Sequence, residues 1–84
     1  MRLRTDGVTW QEIDGELVIL DLEAGTYLTT NVAGAFLTKL LTEVRAVEDL
    51  EAALAERFDL DAHTAQRDTA AFVARLEEEG LLQR

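Results

Sequence analysis

The 84-residue sequence contains no cysteine, no proline and no serine, and has only one histidine, one tryptophan and one tyrosine. Each absence removes a class of chemistry. Without cysteine there is neither a disulfide staple nor a thiolate metal site, so the fold must rest on packing alone, as expected of a cytoplasmic protein. Without serine or cysteine, no Ser/His/Asp or Cys/His nucleophile set can be assembled. His63 falls in the first turn of an expected helix, where water reaches it, and a metal site there would need carboxylates as its other ligands. Long apolar runs are missing too: nothing approaches the roughly 20 residues that span a bilayer. The opening segment, Met1 to Gly7, has two basic residues but no apolar core of signal-peptide length behind it. The expectation is a chain with no membrane segment, metal or cofactor, and with no residues to run catalysis.

Positive charge is scarce as well. The chain has 17 acidic and 8 basic residues, a net charge of −9. Residues 1–46 carry seven acids and four bases, and residues 47–84 carry ten acids and four bases. Nucleic-acid binding draws most of its affinity from cations that neutralise phosphates, and a surface this acidic repels a duplex. Apolar residues make up 48% of the chain, which suits a folded globule rather than a disordered segment. The length fits one domain, expected over residues 1–84.

Strands come first and helices follow. Val8 to Ile13 is rich in β-formers and leads into Asp14-Gly15, the dipeptide that best supplies the two positive-φ residues of a type I′ hairpin turn. The second strand, residues 16–22, holds Leu17-Val18-Ile19-Leu20, apolar on both faces, as in a central strand covered on each side. Glu23-Ala24-Gly25 forms the next turn, and Thr26 to Thr30 a short third strand. Trp10 alternates toward the interior of this sheet. Asn31 is a good N-cap for a helix running to about Val44, with Ala33, Phe36, Leu37, Leu40, Leu41 and Val44 on one face. Val47, Leu50, Leu54 and Phe58 mark a second helix. A third starts near Asp61 and turns Ala65, Thr69, Phe72, Val73 and Leu76 inward, with Gly80 and Leu81 set for a Schellman end. The predicted fold class is α+β: a three-stranded antiparallel sheet followed by three helices, the shape of a winged helix-turn-helix domain.

A three-stranded meander leaves its last strand on an edge. Natural sheets guard such edges with lysine, proline or a bulge. Thr26, Tyr27, Leu28, Thr29 and Thr30 carry no such guard, so an extended peptide can add there through main-chain hydrogen bonds. An ordinary edge covered by the third helix fits the same residues. Proline at Leu28 is expected to weaken peptide addition more than folding. On the third helix, Asp68, Ala71, Phe72 and Arg75 fall at i, i+3, i+4 and i+7, one stripe. Phe72 suits the core as well as a ligand contact there. Asp68 and Arg75 are badly spaced to pair with each other and are expected to be free for a partner. Strand and stripe together would wall a groove.

These residues resemble a known family. Leu20-Asp21-Leu22-Glu23-Ala24-Gly25-Thr26-Tyr27-Leu28-Thr29-Thr30-Asn31 is similar to the L-D-x-x-x-G-x-Y-[FL]-x-L-N segment of PqqD-like proteins, the recognition elements for ribosomally made, post-translationally modified peptides. Leu50 to Phe58, Asp68 to Leu76 and Gly80-Leu81-Leu82 resemble the family's second helix, third helix and G-L-[LI] terminus. The resemblance implies a winged-helix domain that captures a precursor's leader as a strand added to Thr26–Thr30, beside Asp68, Ala71, Phe72 and Arg75. The stand-alone size looks most like the leader-binding partner of lasso-peptide pathways, which hands the precursor to a separate transglutaminase-like leader peptidase and to a cyclase. There the leader typically offers an aromatic residue and a proline as anchors. The alternative within the same fold is a leader carrier for another modified peptide or for a quinone cofactor made by a radical enzyme. A DNA-binding winged helix is disfavoured by the charge balance. Two positions depart from the pattern: Thr30 stands where leucine is common, and Ala46 where the second helix expects a hydroxyl cap, a loss of about 1 kcal/mol.

Overall fold

The computed structural model describes residues 1–83, so Arg84, the last residue of the expected domain, lies outside the described residues. The elements are β1 (Arg2–Leu3), β2 (Val8–Ile13), β3 (Glu16–Asp21), β4 (Thr26–Thr29), α1 (Val32–Leu40), α2 (Val47–Phe58), α3 (Ala62–Glu78) and β5 (Leu82–Gln83). Strands β2, β3 and β4 form the expected antiparallel meander, with β3 central and β4 on one edge. Asp14 and Gly15 both have positive φ, 54° and 83°, as the turn between β2 and β3 requires. The result is the α+β arrangement of sheet and three helices read from the sequence.

β3 is covered on one face rather than on both. Leu17, Ile19 and Asp21 are buried, while Val18 and Leu20 on the other face are only half-buried. The helices pack on the first face, α1 directly against β3 and α2 against α3. Leu17, Ile19, Leu28, Leu37, Leu41, Leu50, Leu54 and Leu76 form the centre of the core. Trp10 pairs with Ile19 across β2 and β3 yet remains 36% exposed, against the interior position its alternation suggests. Its strand is the far edge, where helical cover runs out, and most of β2 is exposed.

Two pairings between distant segments were not foreseen. β1 pairs with β5, Leu3 opposite Leu82, which joins the two ends of the described chain. The same N-terminal segment binds the chain just past α1. Leu3 N donates to Leu41 O at 2.8 Å, Arg2 Nη2 to Thr42 O at 3.1 Å and Met1 N to Arg45 O at 2.8 Å. These donors satisfy carbonyls past the end of the helix. The turn itself tightens, with Thr42 N donating to Lys39 O and Glu43 N to Leu40 O. Arg45 Nε takes the Leu40 carbonyl that Val44 N would use in a continued helix, so the helix stops at Leu40 and Val44 is 70% exposed rather than inward. On the outer side of α1, Lys39 pairs with Glu12 at 2.8 Å, and Glu43 beyond the helix pairs with Arg45.

The helix starts and stops follow local chemistry. Asn31 Oδ1 accepts from Gly34 N at 2.8 Å, and Asp61 Oδ1 accepts from Thr64 N at 2.7 Å. That second bond holds the Asp61 carboxyl below its ordinary range. Ala46 offers no side-chain cap, and α2 compensates in part through Asp49, whose carboxylate accepts from Ala46 N at 3.2 Å. At the end of α3, Gly80 has φ +69°, Leu81 N donates to Leu76 O at 2.9 Å and Gly80 N to Glu77 O at 3.0 Å. This is the full Schellman pattern.

The groove between the edge strand and the third helix

Backbone pairing decides what β4 shows to solvent. Thr30 N donates to Leu17 O at 2.8 Å, which makes Leu17 and Thr30 a hydrogen-bonded pair. In an antiparallel ladder such pairs alternate with pairs whose amides and carbonyls face away. With Ile19 opposite Leu28 and Leu20 opposite Tyr27, Leu28 turns its backbone toward β3, and Tyr27 and Thr29 turn theirs toward the open edge. Proline at Leu28 therefore attacks the sheet rather than the edge, contrary to the expectation above. The side chains divide the other way: Leu28 and Thr30 are buried, while Tyr27 and Thr29 are exposed.

Regular strand geometry ends at Thr29, one residue before the expected boundary, but the pairing with β3 continues. Thr30 is 8% exposed, and its Oγ1 accepts from Leu17 N at 3.1 Å. Threonine at this position thus replaces an apolar core contact with a satisfied buried hydrogen bond.

Helix α3 runs beside this edge and closes a groove. A cavity of about 510 Å³ is lined by Tyr27, Leu28, Thr29, Thr30, Asn31, Phe72 and Arg75. A second, of about 380 Å³, shares Asn31, Phe72 and Arg75 with the first and adds Ala33, Gly34, Leu37, Leu54, Asp68 and Ala71. Eight of the nine candidate residues thus border one continuous depression; Thr26 lines neither part. Sequence reasoning missed Asn31, Ala33, Gly34, Leu37 and Leu54. Gly34 carried a signal, as a glycine within the first turn of a helix rather than in a turn between elements. A Cβ there would lie 2.9 Å from Phe72 Cε1 and 3.0 Å from Thr30 Cβ. The missing side chain lets the Phe72 ring settle against α1, half in the core and half in the groove.

Asp68 and Arg75 are not free, as their spacing had suggested. Asp68 Oδ1 pairs with Arg67 Nε at 3.3 Å, and Arg75 Nε pairs with Glu79 Oε1 at 3.3 Å. Both pairs are solvent-exposed and of the kind that contributes about 0–1 kcal/mol, so they yield readily to a better partner. Among the described residues, no cluster of three or more His, Asp or Glu could hold a metal ion, and no helix is long and apolar enough to cross a membrane.

The groove can therefore offer two outward backbone positions, an apolar patch around Phe72 and two opposite charges. Comparison with known proteins bears on this arrangement. A family model described as coenzyme PQQ synthesis protein D (PqqD) matches residues 16–82. Comparison with curated proteins gave no match. Among solved structures, the chain is similar to TbiB1 in complex with the TbiA(beta) leader peptide, with 31% identity, 99% of this chain and 95% of that one covered, and a TM-score of 0.87. It is also similar to a lasso peptide synthetase B1 complexed with the leader peptide, with 28% identity, 99% and 96% coverage and a TM-score of 0.82. The match of the family model over residues 16–82, with 31% identity to TbiB1 across nearly the whole of both chains, shows that this chain belongs to the PqqD family.

Proposed function

We propose that residues 1–84 act as a single, non-catalytic domain that binds the leader segment of a ribosomally made precursor peptide of the lasso class. The leader adds as a strand to β4, pairing with the backbone of Tyr27 and Thr29, and its inward side chains lie against Ala71, Phe72, Asp68 and Arg75. The observation that carries this proposal is the unguarded backbone edge of β4 facing α3 across a groove. Strand addition needs both features: main-chain partners for affinity and an adjacent patch for selectivity. The two similar solved structures, both described as complexes with a leader peptide, support the same assignment. The bound precursor then passes to a separate leader peptidase, a transglutaminase-like cysteine protease, and to a cyclase. The domain itself has neither the serine nor the cysteine of a triad-type nucleophile for either step.

The test is fluorescence polarisation with labelled leader peptides from precursors encoded beside the protein. The expected result is binding in the micromolar range or tighter that weakens at least about tenfold in Phe72→Ala, since a buried aromatic anchor contributes more than 1.4 kcal/mol. Failure of every such leader to bind would refute the assignment. The family model's description favours a second candidate, a carrier in quinone-cofactor synthesis. Leaders from the two kinds of precursor, titrated side by side, separate the pathways.

A further inference from the structure

The proposed leader site has a charge pattern that constrains what it can accept. Thirteen residues line the two parts of the groove, and among them only Asp68 and Arg75 are charged. They sit on one face of α3 seven residues apart, a rise of about 10.5 Å. Phe72 lies between them. Arg75 borders both parts of the groove, including the part along β4, whereas Asp68 borders only the part at the start of α1. The part beside β4 thus carries a positive charge alone, and the negative charge enters only in the part beyond Thr30.

The charges are available. Arg75 engages Glu79 through Nε, which leaves its two terminal amino groups for a carboxylate, and Asp68 engages Arg67 through Oδ1, which leaves Oδ2. Both side chains are about half exposed, at 56% for Arg75 and 46% for Asp68. The surroundings sharpen their effect. On a chain of net charge −9, an acidic peptide is repelled everywhere except where a cation receives it.

The ladder fixes which ligand side chains reach them. Residues opposite Tyr27 and Thr29 point to the outer face of the sheet, so only alternate positions, opposite Thr26, Leu28 and Thr30, point toward α3. Three such positions span about 13 Å of extended chain, close to the separation of the two charges once side-chain reach is included.

We infer that the groove selects peptides bearing a carboxylate and a cation on the same face of the added strand, one on each side of an apolar residue. The carboxylate meets Arg75 and the cation meets Asp68. Arg75 and Asp68 are then specificity-determining residues for the leader site. This inference rests on the proposed binding mode, and its test separates the two.

A displayed library of random twelve-residue peptides is selected on the wild-type protein and on Arg75→Glu and Asp68→Lys, with folding of each variant checked by circular dichroism. Both substitutions lie on the exposed face of a helix whose buried side is untouched. Wild-type selection is expected to enrich an acid and a base at a fixed spacing around an apolar residue. Arg75→Glu should replace the acid by a base at that position, and a matched peptide should regain at least tenfold of the affinity lost. Peptides that lose binding in Phe72→Ala but show no charge preference, or the same preference on all three proteins, overturn the charge selection while leaving the groove as the binding site. Peptides indifferent to Phe72→Ala overturn both.

Discussion

Gly34 has no side chain, and the groove depends on that. A Cβ at this position would press on both Phe72 and Thr30. Alanine is favoured over glycine by up to about 1 kcal/mol within a helix, and this offsets part of the crowding. The Phe72 ring is the softer neighbour and would swing toward the groove. Gly34→Ala is therefore expected to change folding stability by less than about 1 kcal/mol while lowering leader affinity at least severalfold. Urea denaturation and fluorescence polarisation on the same preparation measure the two effects. A variant that binds normally would show that Phe72 does not form the wall. The candidate residues on α3 were legible in the sequence because helical periodicity puts them on one stripe. Their neighbours from α1 and α2 were not, because no local pattern states which turn of another helix lies across the gap. Thr30 shows the same limit: it reads only as a departure from leucine until its hydroxyl is seen to accept from Leu17 N.

At the scale of an element, β4 was legible as an edge strand, but the direction of its hydrogen bonds was not. Composition cannot tell whether Leu28 or its neighbours face outward; the pair at Leu17 and Thr30 decides it. Proline at the two kinds of position should behave differently. Leu28→Pro removes a ladder bond and a buried side chain, and is expected to destabilise the fold by more than about 2 kcal/mol. Thr29→Pro removes an outward amide from an edge, where proline is tolerated, and should retain the fold while weakening leader binding. Thermal melts followed by circular dichroism, paired with binding titrations, distinguish the two. Equal losses of fold and affinity in both variants would argue against strand addition. The end of α1 was misread for a related reason. Periodicity carries the helix on to Val44, but Arg45 Nε and Glu43 N take the Leu40 carbonyl that Val44 N would need, and the N-terminal segment binds the carbonyls beyond it.

Over the whole molecule, charge and closure meet at Asp21. Its buried carboxylate accepts from Ala24 N and Glu23 N, each at 3.1 Å, and from Arg4 at 2.7 Å. Arg4 in turn donates to Gly80 O at 2.7 Å. One ion pair thus ties the N-terminal segment, the turn before β4 and the end of α3, the frame that holds both walls of the groove. The Ala24 amide, then Arg4, hold the Asp21 carboxyl below its ordinary range even against desolvation. A carboxylate with a depressed folded-state pKa binds fewer protons in the native state, so stability rises with pH through its titration. The contribution is full above the ordinary aspartate value near 3.9 and is lost as pH falls through the lower folded-state value. The urea midpoint of the wild type should drop between pH 5 and pH 2.5, and Asp21→Asn should show a smaller drop from a lower starting value. An unchanged slope in that variant would remove Asp21 as a source of acid sensitivity. The order of the three main strands and three helices was legible because turns, caps and periodicity are local. The pairing of β1 with β5 was not, since it joins two-residue strands from opposite ends of the sequence.

The central claim is that a leader peptide extends the sheet at β4, and amide hydrogen exchange at Tyr27 and Thr29 tests it most directly. Their amides face the open edge in the free protein and should exchange quickly. With a leader bound at saturation, both should slow by at least about tenfold, as expected for a new cross-strand hydrogen bond that opens only with the complex. Leu28, already bonded to β3, should change far less. Saturating leader that leaves Tyr27 and Thr29 exchanging at their free rates would contradict strand addition.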